Sequence, residues 1–262
     1  MNQLEEYYNS TDEEARLLSQ HGQVEYLTTM KYIHECASCF SCPEILEIGA
    51  GTGRYSIALA KEGFSVTAVE LVQHNLDVLK SKLDGSEPLK AIQGNALDLS
   101  AIKDRSFDLT LLLGPMYHLY TNEDKMQALS EAVRVTKPGG YILVAYCMNE
   151  PTIIQYVFLG KHLKDVMGTK NMLSEDWHCK SDPEEIFDLV RTEDISFLNS
   201  HFPVERIKLA ASDGAAHYFS GFIDEMDQET FAEWMEFHLA TCERQDLIGA
   251  SNHTLDILKV RR

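Results

Sequence analysis

Basic residues are scarce in this chain. Against 41 Asp and Glu stand only 23 Lys and Arg in 262 residues, a formal charge of −18. Nucleic-acid affinity rests largely on Lys and Arg displacing counterions from phosphates, so this balance disfavours a phosphate-backbone binder. It disfavours an anionic membrane surface for the same reason. Long apolar runs are missing too: a stretch such as Tyr141 to Met148 falls far short of the ~18 residues that span a bilayer. The opening Met1-Asn-Gln-Leu-Glu-Glu is acidic where a signal peptide is basic and then apolar. A soluble cytoplasmic protein is expected, with neither nucleic acid nor membrane as partner.

Cysteine is sparse as well, with six residues, too few for a disulfide scaffold. Cys36, Cys39 and Cys42 form a C-x2-C-x2-C run with His34 just upstream. An iron–sulfur set with that spacing needs a fourth thiolate soon after, yet Pro43 follows and the next cysteine is Cys147. These cysteines read as small residues at the end of a helix, and no metal site is expected.

No repeat, low-complexity tract or Pro/Gly-rich linker divides the chain. The first ~40 residues read as helical, with a T-x-x-E capping box at Thr11 to Glu14 and Leu17, Val24, Leu27 and Met30 at roughly helical spacing. From Glu44 the texture changes. Strands are expected at Glu44–Ile48, Ser65–Glu70, Leu89–Gln93 and Phe107–Leu113, the last apolar on both faces as a central parallel strand should be. Helices fall between them: Arg54–Glu62 ahead of Gly63, a segment with Leu76, Leu79 and Leu83 on one face, and Asn122–Val135 with Thr121 as N-cap. Lys137-Pro-Gly-Gly140 reads as a turn before a fifth strand, Tyr141–Cys147. This alternation predicts an α/β fold with a doubly wound, mostly parallel sheet. Two further strands, 203–211 and 253–260, bring it to seven. Residues 1–42, 149–202 and 215–250 then form helical cover around a core of 43–148, all within one domain. A short helix is expected to open at Asp182-Pro183-Glu184-Glu185, and one bearing Phe231, Trp234, Met235 and Leu239 to belong to the packed interior. Ligands of open α/β sheets sit above the carboxyl ends of the strands, which the insertions after strands five and six are placed to cover.

The most informative segment is Glu47-Ile48-Gly49-Ala50-Gly51-Thr52-Gly53-Arg54, directly after a strand and before a helix. Its spacing is G-x-G-x-G, and Arg54 occupies the last glycine position of the dinucleotide fingerprint G-x-G-x-x-G. Glu47, just ahead of the loop, is suited to meeting a cation. Glu70 ends the second strand, where a carboxylate can accept both hydroxyls of a ribose.

This loop and its two acids resemble the class I S-adenosylmethionine-dependent methyltransferases, over roughly Ile45 to Met148. Glu47 to Gly53 matches the family's E/D-x-G-x-G-x-G loop, and Glu70 its ribose-binding acid. Gly94-Asn95-Ala96-Leu97-Asp98 matches the segment that holds the adenine, Leu113-Gly114-Pro115 the exit of strand four, and Lys137 to Gly140 the turn before strand five. The resemblance implies S-adenosyl-L-methionine as cofactor, bound by Glu47, Gly49, Ala50, Gly51, Gly53, Glu70, Leu71, Asn95, Ala96 and Leu113, with Tyr8 and Arg16 contacting it from an N-terminal lid. Asn95 stands where the family often has an acid, and its amide oxygen can still accept a bond. Asp98 either joins that set or caps a turn. Tyr7-Tyr8, Gly114 to Leu119 and Ser251 to Leu255 are similar to a bacterial small-molecule branch, loosely like the quinone-biosynthesis methyltransferases.

A sulfonium donor is already activated, so the enzyme's task is to align the acceptor and exclude water. A base is required only if the acceptor must lose a proton. His118, leaving strand four, is the candidate base, with an ordinary pKa of about 6.5. Tyr117 is the candidate to orient the acceptor; alternatively His118 only anchors the loop or packs on the cofactor, and Tyr117 simply fills the pocket wall. His178, Cys179 and His217 fall in the helical cover and are candidates for lining an acceptor pocket, although no ligand spacing joins them. A methyltransferase of a small-molecule acceptor is expected, as monomer or homodimer. The alternatives are a cofactor-binding sensor or subunit without turnover, a protein methyltransferase, and an NAD-dependent oxidoreductase. The N/D-P-P-Y/F of nucleic-acid methyltransferases is only partly echoed by Gly114-Pro115-Met116-Tyr117.

Overall fold

The structure is a computed structural model and describes residues 7, 17–169, 171–180, 182 and 187–262. The capping box at Thr11 to Glu14, the lid residues Tyr8 and Arg16, and the helix start at Pro183 to Glu185 lie outside the described residues.

Short apolar runs build one sheet. β1 (Glu44–Ile48), β2 (Ser65–Glu70), β3 (Leu89–Gln93), β4 (Phe107–Leu112), β5 (Thr136–Cys147), β6 (Val204–Ala211) and β7 (His253–Val260) lie in the order β3-β2-β1-β4-β5-β7-β6. β1 to β5 pair in parallel, and β7 runs antiparallel between β5 and β6. Every residue of β4 is buried, as its two-sided apolar pattern requires. Alternation along the strands feeds two cores. On one face α1 (Gln20–Ala37) lays Tyr32, Ile33 and Cys36 against Ile45, Leu109, Leu143 and Ile257. On the other, a helix at Asn122–Val135 packs Ala128, Leu129 and Ala132 against Ile48, Leu112 and Val144.

α2 (Arg54–Lys61) follows β1 and ends at Gly63, whose φ of 95° lets the Phe64 N–H turn back to the Leu59 carbonyl. α3 (Gln73–Ser81) follows β2, and α4 is the Asn122–Val135 helix. Thr121 caps α4 by accepting from the Asp124 N–H at 3.1 Å. α5 (Thr192–Asn199) precedes β6. α6 (Gln228–Thr241) carries buried Met235 into a small cluster with Val24, Ala216 and Ile223, and half-buried Phe231 and Trp234 pack against it.

Two expectations are corrected. Lys137 to Gly140 is no separate turn: it belongs to β5, whose pairing with β4 slips between Phe107 and Leu109. A local bulge, with Gly139 at φ 83°, lets the strand continue through the glycines. Leu27 points outward at 40 % exposure, while Val24 and Met30 are buried. The apolar stretch Ile153–Leu159 is a wide helical turn closed by the Gly160 N–H on the Gln155 carbonyl. Among the described residues no helix is long and apolar enough to cross a membrane.

Candidate active site

At the carboxyl end of β1 the chain must reverse within a few residues. Gly49, Gly51 and Gly53 take φ of 76°, 54° and 88°, a region that side-chain-bearing residues avoid. Their surroundings differ. A Cβ on Gly49 would stand 2.6 Å from Pro115 Cδ, so this glycine lets the β1 loop touch the exit of β4. A Cβ on Gly51 would meet nothing within 4 Å, because that residue faces a cleft. Gly53 does not line the cleft. A Cβ there would stand 2.7 Å from Leu79 Cγ, so Gly53 serves the packing of the loop on α3.

The cleft measures about 1040 Å³, including the part open to solvent, large enough for a nucleoside-sized ligand. Glu47, Gly49, Ala50 and Gly51 line it from β1, and Glu70 and Leu71 from β2. Asn95 and Ala96 line it after β3, and Leu113, Tyr117 and His118 after β4. Four consecutive parallel strands thus deliver the expected residues of the described core, Gly53 excepted, to one edge.

Glu70 is buried, and its carboxylate accepts the Gly51 N–H at 2.7 Å and the Val72 N–H at 2.8 Å. Burial raises its pKa, while the bonds from Val72 and Gly51 favour the charged form. It holds the glycine loop in shape at the wall of the cleft. Glu47, 1 % exposed, accepts from the Ser56 hydroxyl. Burial pushes its carboxyl up to about 8, against the Ser56 bond and with the help of nearby Glu70. A cation reaching Glu47 would favour the carboxylate. Asn95 is exposed and its amide oxygen already accepts the Leu97 N–H at 3.0 Å. Asp98 caps a turn by accepting the Ser100 N–H at 2.9 Å, and the Ser100 bonds lower its pKa.

On the acceptor side, Pro115–His118 forms one tight helical turn. The Tyr117 hydroxyl donates to the Leu113 carbonyl at 3.0 Å, which pins the ring to its own loop. His118 lies 4.8 Å from Tyr117 and 5.4 Å from Phe187, centroid to centroid. Tyr7 meets Phe187 edge-on at 5.8 Å. Phe187 escapes a reading of the sequence because it reaches this turn through the cover.

Sequence reasoning also missed Arg54 and Asn75, which line the cleft. The Arg54 guanidinium lies over Tyr26 at 4.6 Å, and its buried Nε makes no hydrogen bond. An unsatisfied cationic donor suits an anionic ligand group. The position of Arg54, one residue past the third glycine, was the available signal. His178 and Cys179 do not line the cleft. His178 pairs with Asp194 at 2.9 Å, and the Cys179 N–H donates to Asn149. His217 lies away from the cleft beside Asp213. Cys36 is buried while Cys39 and Cys42 are exposed, and among the described residues no metal-ligand grouping includes them.

An open glycine face, a carboxylate at the end of β2, a buried acid beneath the loop and an arginine in the cleft wall fit S-adenosylmethionine. Residues 46–144 match the methyltransferase domain family. A Bacillus subtilis protein named as a methyltransferase is 32 % identical over 107 residues, covering 39 % of this chain and 43 % of that protein. A Staphylococcus aureus demethylmenaquinone methyltransferase is 34 % identical over 111 residues, covering 41 % of this chain and 44 % of that enzyme. The chain therefore spans less than half the length of these relatives. Among solved structures, an S-adenosylmethionine-dependent methyltransferase of Methanosarcina mazei shares the fold at a TM-score of 0.58 and 20 % identity, covering 88 % of this chain and 97 % of that one. Residues 46–144 thus carry the match to the methyltransferase domain family, and in strand order, glycine loop and paired acids they are similar to the class I S-adenosylmethionine-dependent methyltransferases.

Proposed function

We propose that this chain transfers a methyl group to a small-molecule acceptor held at the exit of β4. The observation that carries the reading is that one cleft joins the cofactor-side residues of β1 to β3 to the aromatic and imidazole groups of Leu113 to His118. When bound, S-adenosylmethionine supplies an electrophilic methyl on a sulfonium, ready for in-line displacement. The protein's own residues divide the remaining work. Glu70 holds the ribose diol, Glu47 the ammonium and Arg54 the carboxylate of the amino-acid end. Asn95 and Ala96 border the base. Residues 1–42, including Tyr8 and Arg16, with 149–202 and 215–250, act as cover that keeps water from the methyl. His118 takes the acceptor's proton where the acceptor is a phenol or carbon acid, and Tyr117 shapes the wall beside it. We place the activity in the cytoplasm, and the −18 charge favours neutral or cationic acceptors over polyanions.

Calorimetry with S-adenosylmethionine and a methyl-release assay over a metabolite panel test this reading. Gly51→Val fills the open face of the loop at a positive φ, and Glu70→Ala removes the diol acceptor. Each is expected to weaken cofactor binding at least tenfold while the chain stays folded. Unchanged affinity in both variants would sink the assignment of the cleft. His118→Ala is expected to lower turnover with cofactor affinity intact. Binding without turnover on any acceptor would instead mark a sensor or subunit.

A further inference from the structure

Away from the cofactor cleft, four side chains from three separate parts of the sequence converge. Glu25 comes from α1, Asp213 and His217 from the loop after β6, and His253 from the first position of β7. One donor atom from each lies within 4.8 Å of all the others. His253 Nδ1 is 2.6 Å from Asp213 Oδ2 and 3.5 Å from Glu25 Oε2, and His217 Nε2 is 3.3 Å from Asp213 Oδ2. We propose that Glu25, Asp213, His217 and His253 form a binding site for a divalent transition-metal cation of the zinc or cobalt class.

The spacing fits such an ion. Bonds of about 2.1 Å in a tetrahedral array set neighbouring ligand atoms roughly 3.4 Å apart, and two of the three separations are 3.3 and 3.5 Å. The short contact between His253 and Asp213 is a hydrogen bond that an ion would replace. A second observation points the same way. His217 Nε2 is buried and makes no hydrogen bond, although it faces the Asp213 carboxylate. Burying an imidazole nitrogen without a hydrogen bond is unfavourable, and a coordinated cation satisfies it.

Outer contacts hold the donors in place, as metal sites require. Asp213 is fully buried, and its Oδ1 accepts the Ser251 hydroxyl at 2.6 Å and the His253 N–H at 3.1 Å. That leaves Oδ2 turned toward the two rings. Two imidazoles with two carboxylates suit zinc or cobalt better than magnesium or calcium, which favour all-oxygen sets. Side-chain exposures of 12 % for Glu25, 19 % for His253 and 23 % for His217 leave a path for an ion to enter. His253 pairs with Cys147 at the carboxyl end of β5, so the cluster stands on the same sheet edge as the cleft. Two strand spacings, roughly 10 Å, separate it from β4.

The test uses the full chain, stripped with chelator and titrated with Co²⁺ and then Zn²⁺. Visible d–d absorption and metal-to-protein stoichiometry after gel filtration are the readouts. One Co²⁺ per chain with a tetrahedral-type spectrum is expected, displaced by Zn²⁺ and accompanied by a rise in melting temperature. Glu25→Gln and His217→Gln, at partly exposed positions that spare the buried Asp213, should each weaken Co²⁺ binding at least tenfold. A Cys36, Cys39 and Cys42 triple serine variant should bind as wild type. Absence of stoichiometric binding would show the cluster to be a proton-held ion pair and overturn the proposal. Loss of binding in the triple variant alone would overturn it equally, by assigning the metal to the thiols. Neither readout depends on methyl transfer.

Discussion

Glu47 lies beneath the glycine loop with the Ser56 hydroxyl as its hydrogen-bond donor, and burial lifts its carboxyl from 4.5 to about 8. Folding therefore takes up a proton over that interval. The stability linked to Glu47 is complete below pH 4.5 and is lost as pH rises through about 8, because the unfolded chain ionises there more readily. Glu47→Gln cannot ionise and still accepts from Ser56. Urea denaturation at pH 5 and pH 8 should show the variant gaining on wild type by a few kcal/mol at the higher pH; parallel pH profiles would refute the assignment. A cofactor ammonium beside Glu47 would favour its charged form. Cofactor affinity of the wild type is accordingly expected to strengthen toward pH 8, and that of Glu47→Gln to lack this trend, as calorimetry at several pH values would show. Residues of this kind were half legible. Glu47 and Glu70 stand at strand ends flanking a glycine loop, so spacing alone singled them out. The role of Gly53 was not legible, because its closest neighbour is Leu79 on another helix.

At the scale of elements, local pattern had the strongest hold where capping and periodicity agreed. α4 begins at Thr121, whose hydroxyl accepts the Asp124 N–H, and carries Glu123 and Asp124 in its first turn, which suits the positive end of the helix dipole. Thr121→Ala removes that acceptor at an exposed site and should cost about 1 kcal/mol, read as a lower denaturation midpoint with an unchanged m-value. β1, β2, β3 and β7 have the bounds their apolar runs imply. β5 does not, since Gly139 and Gly140 look like a turn and only the pairing partner β4 turns them into a bulge. Ile153–Leu159 was equally opaque: a run apolar at almost every position carries neither a period of 2 nor one of 3.6. Its wide turn leaves Ile154, Tyr156 and Phe158 exposed.

On the scale of the whole molecule, the cover is tied to the sheet by a buried ion pair. Lys125 on α4 meets Asp188 at 2.5 Å, the two side chains 7 % and 4 % exposed. The Asp188 N–H donates to the Tyr117 carbonyl, and Val190 bridges the end of β5 at Met148. This strap sets Phe187 over His118. Lys125→Met strands the Asp188 charge and should cost on the order of 3–5 kcal/mol, while Lys125→Met with Asp188→Leu should recover much of that loss. Chemical denaturation of the single and double variants checks this, and an equal loss in both would show that the strap does not depend on the pair. By itself the sequence determined the α/β alternation, the glycine loop and the acids at the ends of β1 and β2, because each is set by neighbours a few residues away. Only the tertiary structure decided that Phe187 reaches His118 and that Arg54 lines the cleft with its Nε buried and unpaired. It alone gathered Glu25, Asp213, His217 and His253, through pairing and packing between distant segments, and no spacing along a chain can encode which distant strands will lie side by side.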